Sequence, residues 1–254
     1  KELGRAGAKA LAPFLRENVR LLTLVLRKVK LGADGARVLI DTLKLNTNHI
    51  ASLDISCNQL RTGMVGQALG EMLKVNSALQ DLDVSFGTHH YGRWVEDELG
   101  FASGLADGLK HNNVLTSLNV SHNDLRADGG KLLAAALKDS QAMRRLNIAG
   151  NKLTVDSEER HDYSGMEAIV DSFHTMQALS SVNILANGLS VQEANELAKP
   201  IGAGQQLNTL CGLEADATKL GVSGNEEAEQ LRLGAGCVVL LAKEIATHRA
   251  LEEL

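Results

Sequence analysis

Aromatic residues, proline and cysteine are all scarce in this chain. Its 254 residues include one Trp, two Tyr, four Phe, two Pro and three Cys. A core cannot be organised around a few large rings here, so burial has to come from many small aliphatic layers. Cys57, Cys211 and Cys237 are odd in number, widely spaced and without a C-x-x-C pair. That excludes a disulfide framework and a zinc knuckle and fits a reducing compartment. No run of 18 or more apolar residues occurs, so no membrane-spanning helix is expected. The start, Lys1-Glu2-Leu3-Gly4-Arg5, lacks the apolar stretch of a signal peptide. A cytoplasmic or otherwise intracellular location is the expectation. The triplet Asn119-Val120-Ser121 falls in a predicted strand and reads as a chance match to a glycan acceptor.

Catalytic signatures are also missing. There is no H-E-x-x-H, no G-x-S-x-G and no phosphate-loop motif. Gly234-Ala235-Gly236 lacks the third glycine of a dinucleotide fingerprint. His89, His90, His161 and Asp162 have no i, i+4 spacing and read as surface residues rather than metal ligands. The expectation is a chain with no enzymatic activity, no cofactor and no bound metal.

Leucine is what the sequence has in quantity, 42 residues or about one in six. It is periodic. The pattern L-x-x-L-x-L-x-x-N-x-L runs through Leu21-Leu24-Leu26-Val29-Leu31, Ile50-Leu53-Ile55-Asn58-Leu60 and a degenerate Leu79-Leu82-Val84-Gly87-His89. It returns as Leu115-Leu118-Val120-Asn123-Leu125, Met143-Leu146-Ile148-Asn151-Leu153 and Leu179-Val182-Ile184-Asn187-Leu189. A seventh copy opens at Leu207 and Leu210 and drifts, and an eighth begins at Leu251. Successive first positions lie 29, 29, 36, 28, 36, 28 and 44 residues apart.

Each unit carries a second pattern. Leu39, Ile40 and Leu43, then Ala68, Leu69, Met72 and Leu73, then Leu132, Leu133, Ala136 and Leu137 repeat at helical spacing. The L-x-L segments predict short strands. One strand and one helix cannot bury their apolar faces alone, whereas stacked units form one continuous core. The amide of Asn58, Asn123, Asn151 or Asn187 can both donate and accept, which suits the unpaired backbone of a sharp turn. Val29 and Gly87 cannot do this, so their units are expected to turn less regularly. Gly32-Ala33-Asp34-Gly35 and Ala127-Asp128-Gly129-Gly130 read as turn-to-helix junctions.

The tandem S-L-N-V-S-H-N-D-L and R-L-N-I-A-G-N-K-L segments resemble leucine-rich repeats of the ribonuclease-inhibitor-like class. Thr209-Leu210-Cys211-Gly212, followed by Ala217-Thr218-Lys219-Leu220, resembles a degenerate unit in long repeat arrays of protists and algae. The resemblance implies an α/β fold: a right-handed solenoid or horseshoe, with a parallel β-sheet on the concave face and α-helices on the convex face. Residues 1–254 would form a single solenoid of seven to eight 28–29-residue units, partial at both ends. The incomplete ends lead to the expectation that the chain is part of a longer protein or a larger complex. The resemblance implies protein binding, hence a non-catalytic interaction scaffold with protein partners. The alternatives are a structural subunit of a large assembly and a regulator of a small GTPase. One family of such activators shares the repeat class, although no residue here carries that activity.

Three insertions interrupt the repeat, near residues 87–98, 154–164 and 213–234. The first two hold the only Trp and both Tyr, and a solenoid does not need those side chains for its core. Because both leave the repeat after position 9, they should emerge on one edge, two units apart. The first choice of contact surface is therefore this rim, with His90, Tyr91, Arg93, Trp94, Arg160, His161 and Tyr163. The competing reading is that Trp94 and Tyr163 only pack their own loops. The second choice is the concave face, whose position 5 reads Asp54, Asp83, Asn119, Asn147 and Asn183. Alternation puts position 7 (Ser56, Ser85, Ser121, Ala149, Leu185) on the solvent side too. Charge is uneven: residues 1–45 hold ten Lys/Arg and four Asp/Glu, net +6, against −11 for the rest. Without an RNA-binding motif or aromatic platform, that basic end reads as solvated surface, and nucleic acid is not an expected partner.

Overall fold

The structure is a computed structural model that describes residues 2–45, 49–87, 99–198, 207–212 and 234–247. Strands and helices alternate as the two periodicities predict. Each L-x-L segment forms a three-residue strand: β1 (Thr23–Val25), β2 (Ser52–Asp54), β3 (Asp81–Asp83), β4 (Ser117–Asn119), β5 (Arg145–Asn147) and β6 (Ser181–Asn183). They make one parallel sheet in the order β1-β2-β3-β4-β5-β6. Its central residues, Leu24, Leu53, Leu82, Leu118, Leu146 and Val182, stand in register and point into the core. Near residue 210 there are isolated bridges, Ser181 to Thr209 and Asn183 to Cys211, rather than a strand.

The helices cover one side: α1 (Gly4–Glu17), α2 (Gly32–Lys44), α3 (Gly63–Leu73), α4 (Gly100–Leu109), α5 (Arg126–Leu137), α6 (Ser164–Phe173), α7 (Val191–Leu197) and α8 (Ala235–Thr247). From α1 to α6 each packs on the next, as α7 does on α8, and their apolar stripes join the strand leucines in one core. This is the right-handed solenoid of leucine-rich repeats, its sheet on the concave face.

Two rows of residues set the stacking distance. The first is the asparagine row. Asn58, Asn123, Asn151 and Asn187 are each fully buried. The Asn151 amide donates to the carbonyls of Val120 at 3.0 Å, Ile148 at 2.9 Å and Ala149 at 3.3 Å. Its Oδ1 accepts the backbone N–H of Asn123 at 2.8 Å. Asn187 repeats this for Asn151, whose N–H it accepts at 2.9 Å. One side chain thus ties its own turn and the preceding one. The units without asparagine are served from the following unit, because Asn58 accepts the N–H of Val29 at 3.0 Å and Asn123 that of Gly87. The less regular turn expected at Val29 is therefore not found. Lys28 and Lys30 adopt the same positive φ as Cys57 and Gln59, or His122 and Asp124.

The second row is made of glycines and was not anticipated. Gly66 and Gly70 on α3 face Gly104 and Gly108 on α4, backbone against backbone. A methyl on Gly108 would stand 2.6 Å from Gly70 O. Gly130 approaches Gly165 in the same way, with Gly165 O 3.1 Å from a Cβ there. Residues 32–35 and 127–130 fall in the opening turns of α2 and α5, at the turn-to-helix junctions expected there.

Candidate functional site

On the concave face the position-5 side chains all perform one task. Oδ1 of Asp54, Asp83, Asn119, Asn147 and Asn183 accepts the backbone N–H two residues ahead, at 2.9 to 3.1 Å. Each closes the turn that ends its strand. The position-7 column is buried rather than solvent-facing, with Ser56, Ser85, Ser121 and Ala149 at 3 % exposure or less. A three-residue strand has already ended by position 7, so alternation no longer decides where the side chain points. Charge on this face also closes on itself, since Arg145 Nη2 reaches Asp81 Oδ1 at 3.0 Å across β4. Asn119 Nδ2 donates to Asp83 Oδ2 at 2.9 Å.

Burial pushes the Asp83 carboxyl above the ordinary carboxylate range, and the Asp54 charge adds to this. The raised value means the folded state holds the proton more tightly than the unfolded one. Ionised Asp83 is therefore a destabilising element that is fully present above its folded pKa and disappears as pH falls through it. Asp83→Asn keeps the acceptor for Ser85 N–H without the charge and gives up the bond from Asn119 Nδ2. The expected outcome is a variant whose stability relative to the parent is highest at pH 7 and falls as pH is lowered toward 4, read from urea unfolding at both values.

At the rim, the second insertion is a hairpin built by its own polar groups. Val155 bridges His161 in antiparallel fashion. Asp156 Oδ1 accepts the N–H groups of Glu158 at 2.8 Å and Arg160 at 2.9 Å, and its Oδ2 accepts from Arg160 Nε at 2.8 Å. These donors hold its carboxyl below the usual range. Arg160 also pairs with Glu158 at 2.8 Å. His161 Nε2 lies 3.1 Å from Glu193 Oε1, tying the hairpin to the start of α7, where Glu193 completes a capping box with Ser190. Arg160 and His161 remain about two-thirds exposed. Tyr163 differs. It is half-buried against the core at the N-terminus of α6, and burial with the surrounding carboxylates of Glu193 and Glu167 pushes its hydroxyl up to about 12. Tyr163 thus packs its loop onto the scaffold, as the competing reading held. His90, Tyr91, Arg93 and Trp94 lie outside the described residues.

Beside the hairpin the structure places groups that the sequence reading passed over. Phe86 and His122, at position 8 of adjacent units, stack with ring centroids 4.1 Å apart, and burial lowers the His122 pKa. Gly150, at φ +65°, leaves the space that the His122 ring occupies. Arg61, Asp124, Arg126, Lys152 and Glu159 form an ion cluster across four units. Arg61 and Arg126 both occupy position 12 of their units, a column that could have been lined up from the sequence. Among the described residues, no group of three or more His, Cys, Asp or Glu side chains could hold a metal ion, and no helix is long and apolar enough to cross a membrane.

The chain resembles leucine-rich-repeat proteins. Residues 111–134 match a family described as Leucine Rich repeat. Over 108 residues, 42 % of the chain, it is 35 % identical to Leucine-rich repeat-containing protein 45 of Gallus gallus. Over 175 residues, 68 % of the chain, it is 27 % identical to NACHT, LRR and PYD domains-containing protein 13 of Homo sapiens. The chain spans 15 % of the length of each of these relatives. Among solved structures, Leiomodin-1 Actin-Binding Site 2 is similar at a TM-score of 0.39 and 15 % identity, over 71 % of this chain and 90 % of that one.

Proposed function

We propose that the chain is a non-catalytic protein-interaction scaffold whose specific contacts lie on the rim that carries the insertions, more than on the concave sheet. The observation that carries this is the use of the position-5 side chains. Every Asp and Asn of that column spends its oxygen on its own backbone. The hairpin at 154–163, by contrast, leaves Arg160 and His161 projecting from a scaffold that holds them in place. The first insertion leaves the repeat after β3 and the second after β5, strands separated only by β4. At about 4.8 Å per strand, their bases stand roughly 10 Å apart. A full helix in each 28–29-residue unit supports the ribonuclease-inhibitor-like subtype.

The test is capture of partners from the source cell by two double variants. Because Tyr163 supports the loop, the rim variant pairs Trp94→Ala with Arg160→Ala. The concave variant pairs Asp83→Asn with Asn147→Asp, chosen to keep the turn-closing oxygens. Loss of the captured partner with the rim variant alone is the expected outcome. Loss with the concave variant alone would transfer the contact surface to the sheet.

A further inference from the structure

The convex helices pack pairwise from α1 to α6 and again from α7 to α8, but among the described residues α6 and α7 do not close up on each other. Side-chain size explains the break. α5 admits α6 through small residues: a Cβ on Gly165 of α6 would stand 2.4 Å from Ala127 Cα, and one on Gly130 would stand 3.1 Å from Gly165 O. When the buried Leu133 and Leu137 of α5 are aligned with Ile169 and Phe173 of α6, the places of Ala127 and Gly130 fall to Tyr163 and Met166. That of Ala134 falls to Val170. These larger side chains hold α7 off. Tyr163 and Val170 are only half-buried against the core, so the space between the two helices keeps a partly exposed apolar floor.

The walls of this space are acidic. α6 and α7 carry Glu167, Asp171, Glu193 and Glu196 and no Lys or Arg. The charges of Glu193, Glu167, Asp171 and Glu196 all reach the Tyr163 hydroxyl, which places them around the same floor. Glu193 is held by His161 and by its own capping box. Glu167 and Asp171, one helical turn apart and both exposed, meet no Lys, Arg or His side chain among the described residues. Elsewhere on the convex face such carboxylates are paired between neighbouring helices, Glu71 with Lys44 at 2.8 Å and Asp107 with Lys74. Like charges at i, i+4 repel, and a cation set against them relieves that. We propose that the gap between α6 and α7 is a docking groove for a basic amphipathic helix of a protein partner, with its apolar side on Tyr163 and Val170 and its Lys or Arg side chains on Glu167 and Asp171. The apolar floor supplies the burial that an amphipathic helix needs, and the acidic walls set the sign of the partner. The groove lies on the convex side, and it stands whether or not the rim is a contact surface.

The test is fluorescence anisotropy of the full chain with a fluorescein-labelled peptide of Leu and Lys in helical amphipathic order, beside a scrambled peptide of the same composition. The ordered peptide is expected to bind more tightly by about tenfold or more. Glu167→Gln with Asp171→Asn removes two exposed charges without touching the core, and should weaken the ordered peptide by about tenfold. Glu71→Gln with Asp107→Asn takes the same number of charges from α3 and α4 and should leave binding unchanged. In the unaltered chain, the Tyr163 ring resonances should shift as the ordered peptide is added. No preference for the ordered peptide, an unmoved Tyr163 ring, or unchanged binding in the α6 variant would end the proposal. Equal loss in the two carboxylate variants would end it too, since net charge would then explain the attraction. Capture of partners by the rim and concave variants bears on the rim reading alone, so the two readings fail separately.

Discussion

Gly104→Ala is expected to lower the stability of the chain by about 2–3 kcal/mol, despite adding a better helix former at an exposed price of nothing in sequence terms. Alanine in a helix interior is favoured over glycine by about 1 kcal/mol, so propensity alone predicts a gain. Packing predicts the opposite. A methyl at Gly104 would fall on the backbone carbon of Gly66 and the nitrogen of Gln67, and 2.6 Å from Gly66 O. Those neighbours are main chain, so no rotamer change relieves the overlap and α4 has to move off α3. The separation would propagate, because the strands that α3 and α4 follow are held in register to β1 on one side and β6 on the other. Gly129→Ala is the control. Its new methyl meets side-chain atoms only, Leu125 Cβ at 3.0 Å and Ala102 Cβ at 3.4 Å, and should change stability by less than about 1 kcal/mol. Urea midpoints of the two variants check the contrast, and equal midpoints would show that the helices are not in backbone contact.

The second large effect is expected at Asn151. In Asn151→Ala the carbonyls of Val120, Ile148 and Ala149 lose a donor, and the N–H of Asn123 loses its acceptor. The site is fully buried, so water does not take over those bonds. Each stranded buried group costs about 1–3 kcal/mol, and with at least two stranded the total should reach about 3–4 kcal/mol. Asn147→Ala removes an amide whose Oδ1 serves the N–H of Ala149 at 3.1 Å on a half-exposed surface, and should cost about 1 kcal/mol. Thermal or urea unfolding of the pair separates the two roles that asparagine has in this fold. A loss at Asn151 no larger than at Asn147 would contradict the account of the ladder.

The two asparagine roles show what was legible in the sequence and what was not. Position 9 could be assigned from its spacing, because an amide between aliphatic positions has few other uses. Its generosity to the neighbouring unit could not, since Val29 and Gly87 are rescued from Asn58 and Asn123, residues 29 and 36 positions away. Strand alternation placed Asp83 and Asn147 correctly on the concave side but failed for Ser85 and Ala149, where the chain has already turned. The glycine row was hidden because glycine carries no side-chain pattern. Gly66 and Gly70 read as ordinary helix residues until Gly104 and Gly108 are set beside them. At the rim, the aromatic content of the insertions was visible, whereas the half-burial of Tyr163 and the ion cluster around Arg61 depend on contacts between units. Those contacts need the register of the stack, which the 36-residue spacings obscure.

The rim claim is tested most directly by site-specific photo-crosslinking in the source cell. A benzoylphenylalanine is placed in turn at positions 160 and 161 on the hairpin and at positions 54 and 147 on the sheet, and the trapped species are compared. The account predicts a defined partner adduct from 160 or 161 and none from 54 or 147. The same adduct arising from 54 and 147, with the hairpin positions silent, would contradict it.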